Sequence, residues 1–301
     1  MPGHILHDVP ELPEVEALAL DLKGRLTDRA ITRVDLAAFS ALKTFDPPLS
    51  ALHGTLVEDV TRHGKFLDIA TSGLHLVIHL ARAGWIRWRD EVPALPARPN
   101  GKSPLAARVL LDDDDEGRTN GLDVTEAGTK KSLAIYVVRD PQDVPGVARL
   151  GPDPLAEAFT IDVLGQILDD AGRAQIKGVL RHQGTIAGIG NAYSDELLHA
   201  AKMSPFKPAN ALSDAELITL YAAIRDVLGD AVDRSRGLAA SELKREKKSH
   251  LAVHGRTGEK CLVCGDTVRE VSFADSSLQY CPTCQTGGKP LADRRMSRLL
   301  K

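Results

Sequence analysis

Four cysteines, Cys261, Cys264, Cys281 and Cys284, fall within 24 residues as C-x2-C-x16-C-x2-C. A pair of cysteines two residues apart supplies adjacent corners of a tetrahedron, and two such pairs complete a four-thiolate site for Zn2+. Four thiolates fill the coordination shell and leave no position for a catalytic water, so the spacing predicts one structural zinc ion. Two disulfides, a redox pair or an iron–sulfur cluster would use the same residues differently. A reducing cytosol disfavours the disulfides.

Two further segments could carry chemistry. Pro10-Glu11-Leu12-Pro13-Glu14-Val15-Glu16 places carboxylates at a helix start, where they complement the helix dipole. Ala187-Gly188-Ile189-Gly190-Asn191 joins two helical stretches. Gly188 and Gly190 let the backbone turn tightly and let a phosphate approach its N–H groups, with Asn191 as an added donor. A plain interhelical turn is the alternative use of these residues. The third glycine of a dinucleotide fingerprint is missing and a helix precedes the turn, so no nucleotide cofactor is expected. His63, His79 and His254 lie near these segments without ligand spacing and are read as structural or surface residues.

The charge pattern suggests a partner. The net charge of −3 does not by itself point to nucleic acid. From Glu242 to Lys301, however, 12 Lys/Arg stand against 7 Asp/Glu, a local charge of +5. Part of the acidic excess sits in Asp112–Glu116. A basic segment around a zinc site suits phosphate contact. No apolar run approaches the roughly 18 residues of a membrane span, and Met1–Val9 lacks the layout of a signal peptide. A cytoplasmic protein without membrane contact is expected.

The elements that must position these residues follow from periodicity. Pro13–Leu26 reads as an amphipathic helix, with Val15, Leu18, Leu22 and Leu26 on one face. Ile31–Leu36, Phe66–Ala70, Leu74–Leu80, Ala107–Leu111 and Leu133–Val138 read as strands. No regular helix alternates with them, which favours a β-sandwich over a doubly wound sheet. Pro93–Pro104 reads as a surface loop. After Gly151-Pro152-Asp153-Pro154 the pattern turns helical, most clearly from Ser213-Asp214-Ala215-Glu216, which has capping-box spacing. Lys244–Lys248 reads as a basic connector to the cysteines.

Taken in order, Pro10–Glu16, His63-Gly64-Lys65, Leu150–Leu155, Ala187–Glu196 and Val253–Gln285 resemble the formamidopyrimidine-DNA glycosylase / endonuclease VIII family over nearly the whole chain. The resemblance implies an α+β protein: residues 1–9 an extension or misassigned start, 10–150 a catalytic β-sandwich domain with flanking helices, 151–248 a helix–two-turns–helix domain, 249–286 a zinc hairpin and 287–301 a basic tail. It implies a monomer that holds damaged double-stranded DNA in a cleft, is nucleoid-associated through that DNA, and acts as DNA glycosylase and AP lyase in base-excision repair. Pro10 would be the nucleophile that forms a Schiff base, Glu11 the acid/base, Glu14 a supporting carboxylate and Lys65 a phosphate contact. Asn191, Lys177, Gly188 and Gly190 would grip the DNA backbone.

Three departures from the family stand out. Pro10 is internal as written, and an internal proline nitrogen is a tertiary amide that cannot form a Schiff base. Val9 precedes it, and a GTG valine codon can initiate translation, so the working chain is expected to begin at Pro10. Ser276 stands where the family's zinc hairpin carries an arginine. The family's gap-filling residues are replaced in His79-Leu80-Ala81-Arg82-Ala83-Gly84, where Arg82 takes the methionine position, and in Asp140-Pro141-Gln142-Asp143-Val144-Pro145-Gly146. The departures support a second reading, a DNA-damage-binding member without catalysis.

Overall fold

The computed structural model describes residues 9–93, 103–128, 130–273 and 276–292. The expected N-terminal extension apart from Val9, most of the Pro93–Pro104 loop and most of the basic tail lie outside the described residues. The chain divides into two units.

The first unit holds the described residues up to Arg149, together with 234–245. It opens with α1 (Leu12–Leu26), which has Pro13 in its first turn and Val15, Leu18, Leu22 and Leu26 fully buried. Burying each such side chain is worth about 2 kcal/mol. Eight strands follow: β1 (Ala30–Leu36), β2 (Thr55–His63), β3 (Phe66–Thr71), β4 (Leu74–His79), β5 (Gly84–Arg89), β6 (Leu105–Asp113), β7 (Thr119–Glu126) and β8 (Ala134–Val138). They form one sheet in the order β5-β7-β6-β1-β2-β3-β4-β8, every ladder antiparallel. β1 and β2 share only the pairs Ala30↔Leu56 and Ile31↔Thr55, so the sheet has two four-stranded halves. One core holds α1 and side chains from both halves, such as Leu67, Ile69 and Ile78 with Val109, Leu122 and Val124.

Alternation along the strands decides what faces that core. Leu67 and Ile69 of β3 point inward, which sends Phe66 and Asp68 to the other face with His75 and His79 of β4. The edge strand β8 is covered by the 39–44 segment: Lys43 N donates to Ile135 O (2.9 Å) and Val137 N to Thr44 Oγ1 (2.7 Å). The acidic run Asp112–Glu116 lies at the β6–β7 turn, where Asp114 accepts from the backbone N–H of Glu116 and Arg118.

Residues 234–245, read from sequence as part of the helical domain, pack with the sheet. Ala240 and Leu243 enter its core, the Trp85 indole N–H donates to Ala240 O (2.9 Å), and Lys244 Nζ lies 4.7 Å from the Trp85 ring centre.

The second unit holds 150–233 and the described residues from 246 onward. Its helices are α2 (Ile161–Ala171), α3 (Ile176–Arg181), α4 (Asn191–Ala200) and most of α5 (Asp214–Ser235). The expected capping box forms at α5: Ser213 N donates to Glu216 Oε2 (2.9 Å) and Glu216 N to Ser213 Oγ (3.4 Å). The basic connector is itself a helix, α6 (Leu243–His250), in which Lys247 is buried with Nζ 4.9 Å from the Tyr193 ring centre. A hairpin of β9 (Arg269–Ser272) and β10 (Ser277–Tyr280) leads to α7 (Pro282–Thr286). Among the described residues no helix is long and apolar enough to cross a membrane.

Candidate functional site

The head of α1 gathers the first set of expected residues. Pro10 is buried and leads directly into Glu11, the N-cap residue. Glu11 and Glu14 are each 2% exposed. They cap the helix reciprocally: Glu11 N donates to Glu14 Oε2 at 2.8 Å, and the Glu11 side chain accepts from the Glu14 backbone. This arrangement satisfies N–H groups that a helix start leaves without partners.

Lys65 is brought to the same unit by the β2–β3 turn. Gly64, at φ +55°, permits the turn, because a side chain there would meet its own backbone. Two devices brace it. Arg62, nearly buried, binds Glu16 of α1 (2.7 Å) and donates to Gly64 O (3.2 Å). His63 Nε2 meets the buried Asp68 carboxylate at 3.0 Å, and His75 Nδ1 meets the same carboxylate at 3.0 Å. The turn carrying Lys65 is therefore tied to the helix that carries Glu11 and Glu14. Arg62, Glu16 and Asp68 escaped the sequence reading because their roles depend on pairings that no local pattern spells out.

His79 packs its ring 4.5 Å from that of Phe66. Burial first, and then the nearby Lys65 charge, push its pKa down to about 4, so it is neutral at ordinary pH. The two departing segments belong to the same unit. Arg82 is exposed on the β4–β5 turn, after Ala81 at φ +53°. Asp140 caps a short turn over Pro141–Asp143 through Gln142 N (2.8 Å). Gly146 then lies against Phe66, so closely that a Cβ there would sit 2.4 Å from the ring.

The remaining expected residues belong to the second unit. Gly188, at φ +85°, gives its N–H to Gln183 Oε1 (3.0 Å), and Gln183 Nε2 reaches Ile189 O (2.7 Å). Gly188 thus shapes the turn, and its N–H is not directed at a phosphate. Gly190 is the N-cap of α4 and has no side chain to cap it. Asn191 Nδ2 donates to Ser277 O of the hairpin (2.8 Å), and its Oδ1 is buried without a protein partner.

Lys177 sits in a buried polar cluster at the start of α4. Its side chain is only 6% exposed, and Nζ contacts Asp195 Oδ1 (2.6 Å), Ser194 Oγ (2.7 Å) and Asn191 O (3.1 Å). An ammonium has three N–H donors, and these acceptors all lie within the same unit. Lys177 therefore ties α3 to the start of α4. Asp195 in turn meets His254 Nδ1 (2.8 Å) and accepts from Gln279 N (3.2 Å). Glu196 accepts from the backbone N–H of Ala252, Val253 and His254, and burial pushes its carboxyl upward against those donors. His254 is structural, as expected.

The four cysteine sulfurs lie within 4.8 Å of one another, with Cys261–Cys284 at 3.9 Å and Cys264–Cys281 at 3.3 Å. Sulfurs about 2.3 Å from a tetrahedral zinc stand about 3.8 Å apart, so the set fits one ion. Asp266 ties the two pairs together, accepting from Thr283 Oγ1 (2.8 Å) and Thr283 N (3.3 Å). The buried imidazole of His199, unremarked in the sequence, places Nε2 3.3 Å from Cys261 Sγ. Ser276 accepts from Phe273 N through its carbonyl (2.7 Å), closing the hairpin.

Comparison with known proteins accounts for this combination. Family models match three segments: the formamidopyrimidine-DNA glycosylase N-terminal domain at 9–128, the formamidopyrimidine-DNA glycosylase H2TH domain at 150–242, and the zinc finger found in FPG and IleRS at 258–287. A formamidopyrimidine-DNA glycosylase of Symbiobacterium thermophilum is 35% identical, covering 95% of this chain and 93% of its own length. This chain belongs to the formamidopyrimidine-DNA glycosylase family. As a member it is a DNA glycosylase of base-excision repair, and its zinc finger holds one structural zinc. The Lactococcus lactis glycosylase, solved in complex with DNA containing an abasic site, superposes with a TM-score of 0.78 at 26% identity, over 92% of this chain and 99% of that one. An uncharacterized formamidopyrimidine-DNA glycosylase-like protein of Mycobacterium tuberculosis is 63% identical over 152 residues, half of this chain and 94% of that one.

Proposed function

We propose that this glycosylase is also an AP lyase, with Pro10 as its nucleophile in a chain that begins at Pro10. One arrangement carries the reading. Pro10 runs straight into the buried, reciprocally capped pair Glu11 and Glu14, and Arg62 ties that helix to the turn presenting Lys65. As the N-terminal residue, Pro10 is a secondary amine whose lone pair attacks C1′ of the damaged nucleoside. The C1′–N bond to the base breaks and the base leaves with a proton. Glu11 protonates O4′ as the sugar ring opens, leaving an iminium between C1′ and the Pro10 nitrogen. Loss of a C2′ proton then expels the 3′ phosphate and nicks the strand. Water returns the free amine.

Lys65 holds a phosphate beside the lesion, and Asn191 with the start of α4 at Gly190 holds the backbone from the second unit. The partner is damaged double-stranded DNA, bound by a single copy of the chain in the cytoplasm at the nucleoid. Abasic deoxyribose, present in the DNA of the Lactococcus lactis complex, is the product of the first step and the substrate of the second. Arg82 and the Gln142 turn replace the family's gap-filling residues, which points to an altered choice of damaged base.

Borohydride trapping on an abasic-site duplex tests this reading. Chain beginning at Pro10 yields a covalent adduct that peptide mass spectrometry maps to Pro10. Chain retaining residues 1–9 yields none. The second reading, a damage binder without catalysis, rests on the amide character of Pro10 in the chain as written. Tight binding by the Pro10-initiated protein without any adduct would establish that reading and reject the enzyme.

A further inference from the structure

The four thiolates are not equivalent in this structure. Cys261 is buried and collects several donors: the backbone N–H groups of Val263 and Cys264 point at its sulfur, and His199 Nε2 lies 3.3 Å away. Cys264 is exposed. His199 sits on α4, the helix whose first residue is Asn191 and whose Asp195 and Glu196 hold Gln279 and the 252–254 backbone. The metal site and the Asn191 end of α4 are thus joined through one ten-residue helix.

We propose that His199 is a positioning residue for the zinc site, its Nε2–H donating to the Cys261 thiolate. A donor outside the coordination shell fixes the direction of a ligand lone pair and withdraws charge from it. At Cys261 it holds one Zn–S bond in register with α4, so the hairpin that supplies the carbonyl contact to Asn191 is set by the same helix. It also makes the Cys261 sulfur less nucleophilic than the exposed Cys264, which protects the ion from electrophiles on the inner side of the site.

Full-length protein carrying Zn2+ or Co2+ tests this through His199→Phe, which keeps a ring and removes the donor, and His199→Gln, whose terminal amide N–H can replace it. For His199→Phe the expected outcome is a zinc affinity lower by about 10- to 100-fold in chelator competition. The thiolate-to-cobalt charge-transfer band should move to longer wavelength, because a thiolate without its donor gives up an electron more readily. His199→Gln should restore both. Equal losses in the two variants with the band unmoved would mean that His199 only fills space, and no loss in either would mean that it has no role at the zinc. A long-range 1H–15N imidazole spectrum of the wild type keeps the test open if the Phe variant does not fold. A proton on His199 Nε2 supports the proposal, and a proton on Nδ1 alone overturns it.

Discussion

Lys177→Met separates a buried structural lysine from a DNA-gripping one. In the structure Nζ contacts Asp195 at 2.6 Å, Ser194 Oγ at 2.7 Å and Asn191 O at 3.1 Å, with the two charged side chains 6% and 1% exposed. Removing one member of a buried ion pair costs about 3–5 kcal/mol, because the partner charge stays buried. Asp195 keeps His254 and Gln279 N, which places the expected loss at the lower end, about 3 kcal/mol. For a unit of this size that is a fall of roughly 6–12 °C in Tm. Thermal unfolding of the zinc-loaded chain reads it by circular dichroism. Binding to an abasic-site duplex across a salt series supplies the second readout. If Lys177 met a phosphate, the variant would keep its Tm within about 1 °C and the slope of log K against log salt would fall by about 1. That pair of results would refute the structural assignment.

Other outcomes follow from the sheet unit and the zinc site. His79 is held at about 4, below its ordinary 6.5, so between those values the unfolded chain takes up a proton that the native chain refuses. Stability should therefore fall by up to about 3 kcal/mol as pH drops from about 6.5 to 4, and His79→Gln should remove that part of the slope in urea titrations at stepped pH. Gly146→Ala drives a Cβ to 2.4 Å from the Phe66 ring and should cost about 1–3 kcal/mol, read by the same titrations. Limiting N-ethylmaleimide on the zinc-loaded protein should label the exposed Cys264 before the buried Cys261, as mapped by peptide mass spectrometry; labelling of Cys261 first would reverse the order argued for the thiolates.

What could be read from the residues alone was what is local. The cysteine spacing located a zinc set whose sulfurs do converge. The capping pattern at Ser213 and the apolar stripe from Val15 to Leu26 became the helices they describe, since a cap and a helical face are settled within a few residues. The burial of Lys177 is not legible locally because its surroundings are decided by Asp195, eighteen positions on, which turns a lysine of ordinary appearance into a buried one. The same limit hid Asp68, whose two histidines arrive from β2 and β4, and His199, whose sulfur partner lies 62 residues away. The polar composition of Lys244–Lys248 reads as a connector, whereas the run is helical. Trp85 and Tyr193, the rings that receive Lys244 and Lys247, are remote in sequence.

The return of residues 234–245 to the sheet bears on the order in which the protein matures during synthesis. Trp85, Ile86 and Leu111 belong to a core that also needs Ala240 and Leu243, and the Trp85 N–H has its acceptor at Ala240. A ribosome that has released the first half of the chain has released every strand of the large sheet but not the piece that closes it. Helices α2 to α4 emerge in the interval and can pair with one another before the sheet is sealed. The unit spelled first is thus completed late, and a chain stopped near residue 150 would carry an open apolar seam. Nascent chains halted before and after residue 245 should differ sharply in protease resistance within the strands, although their strand sequences are identical.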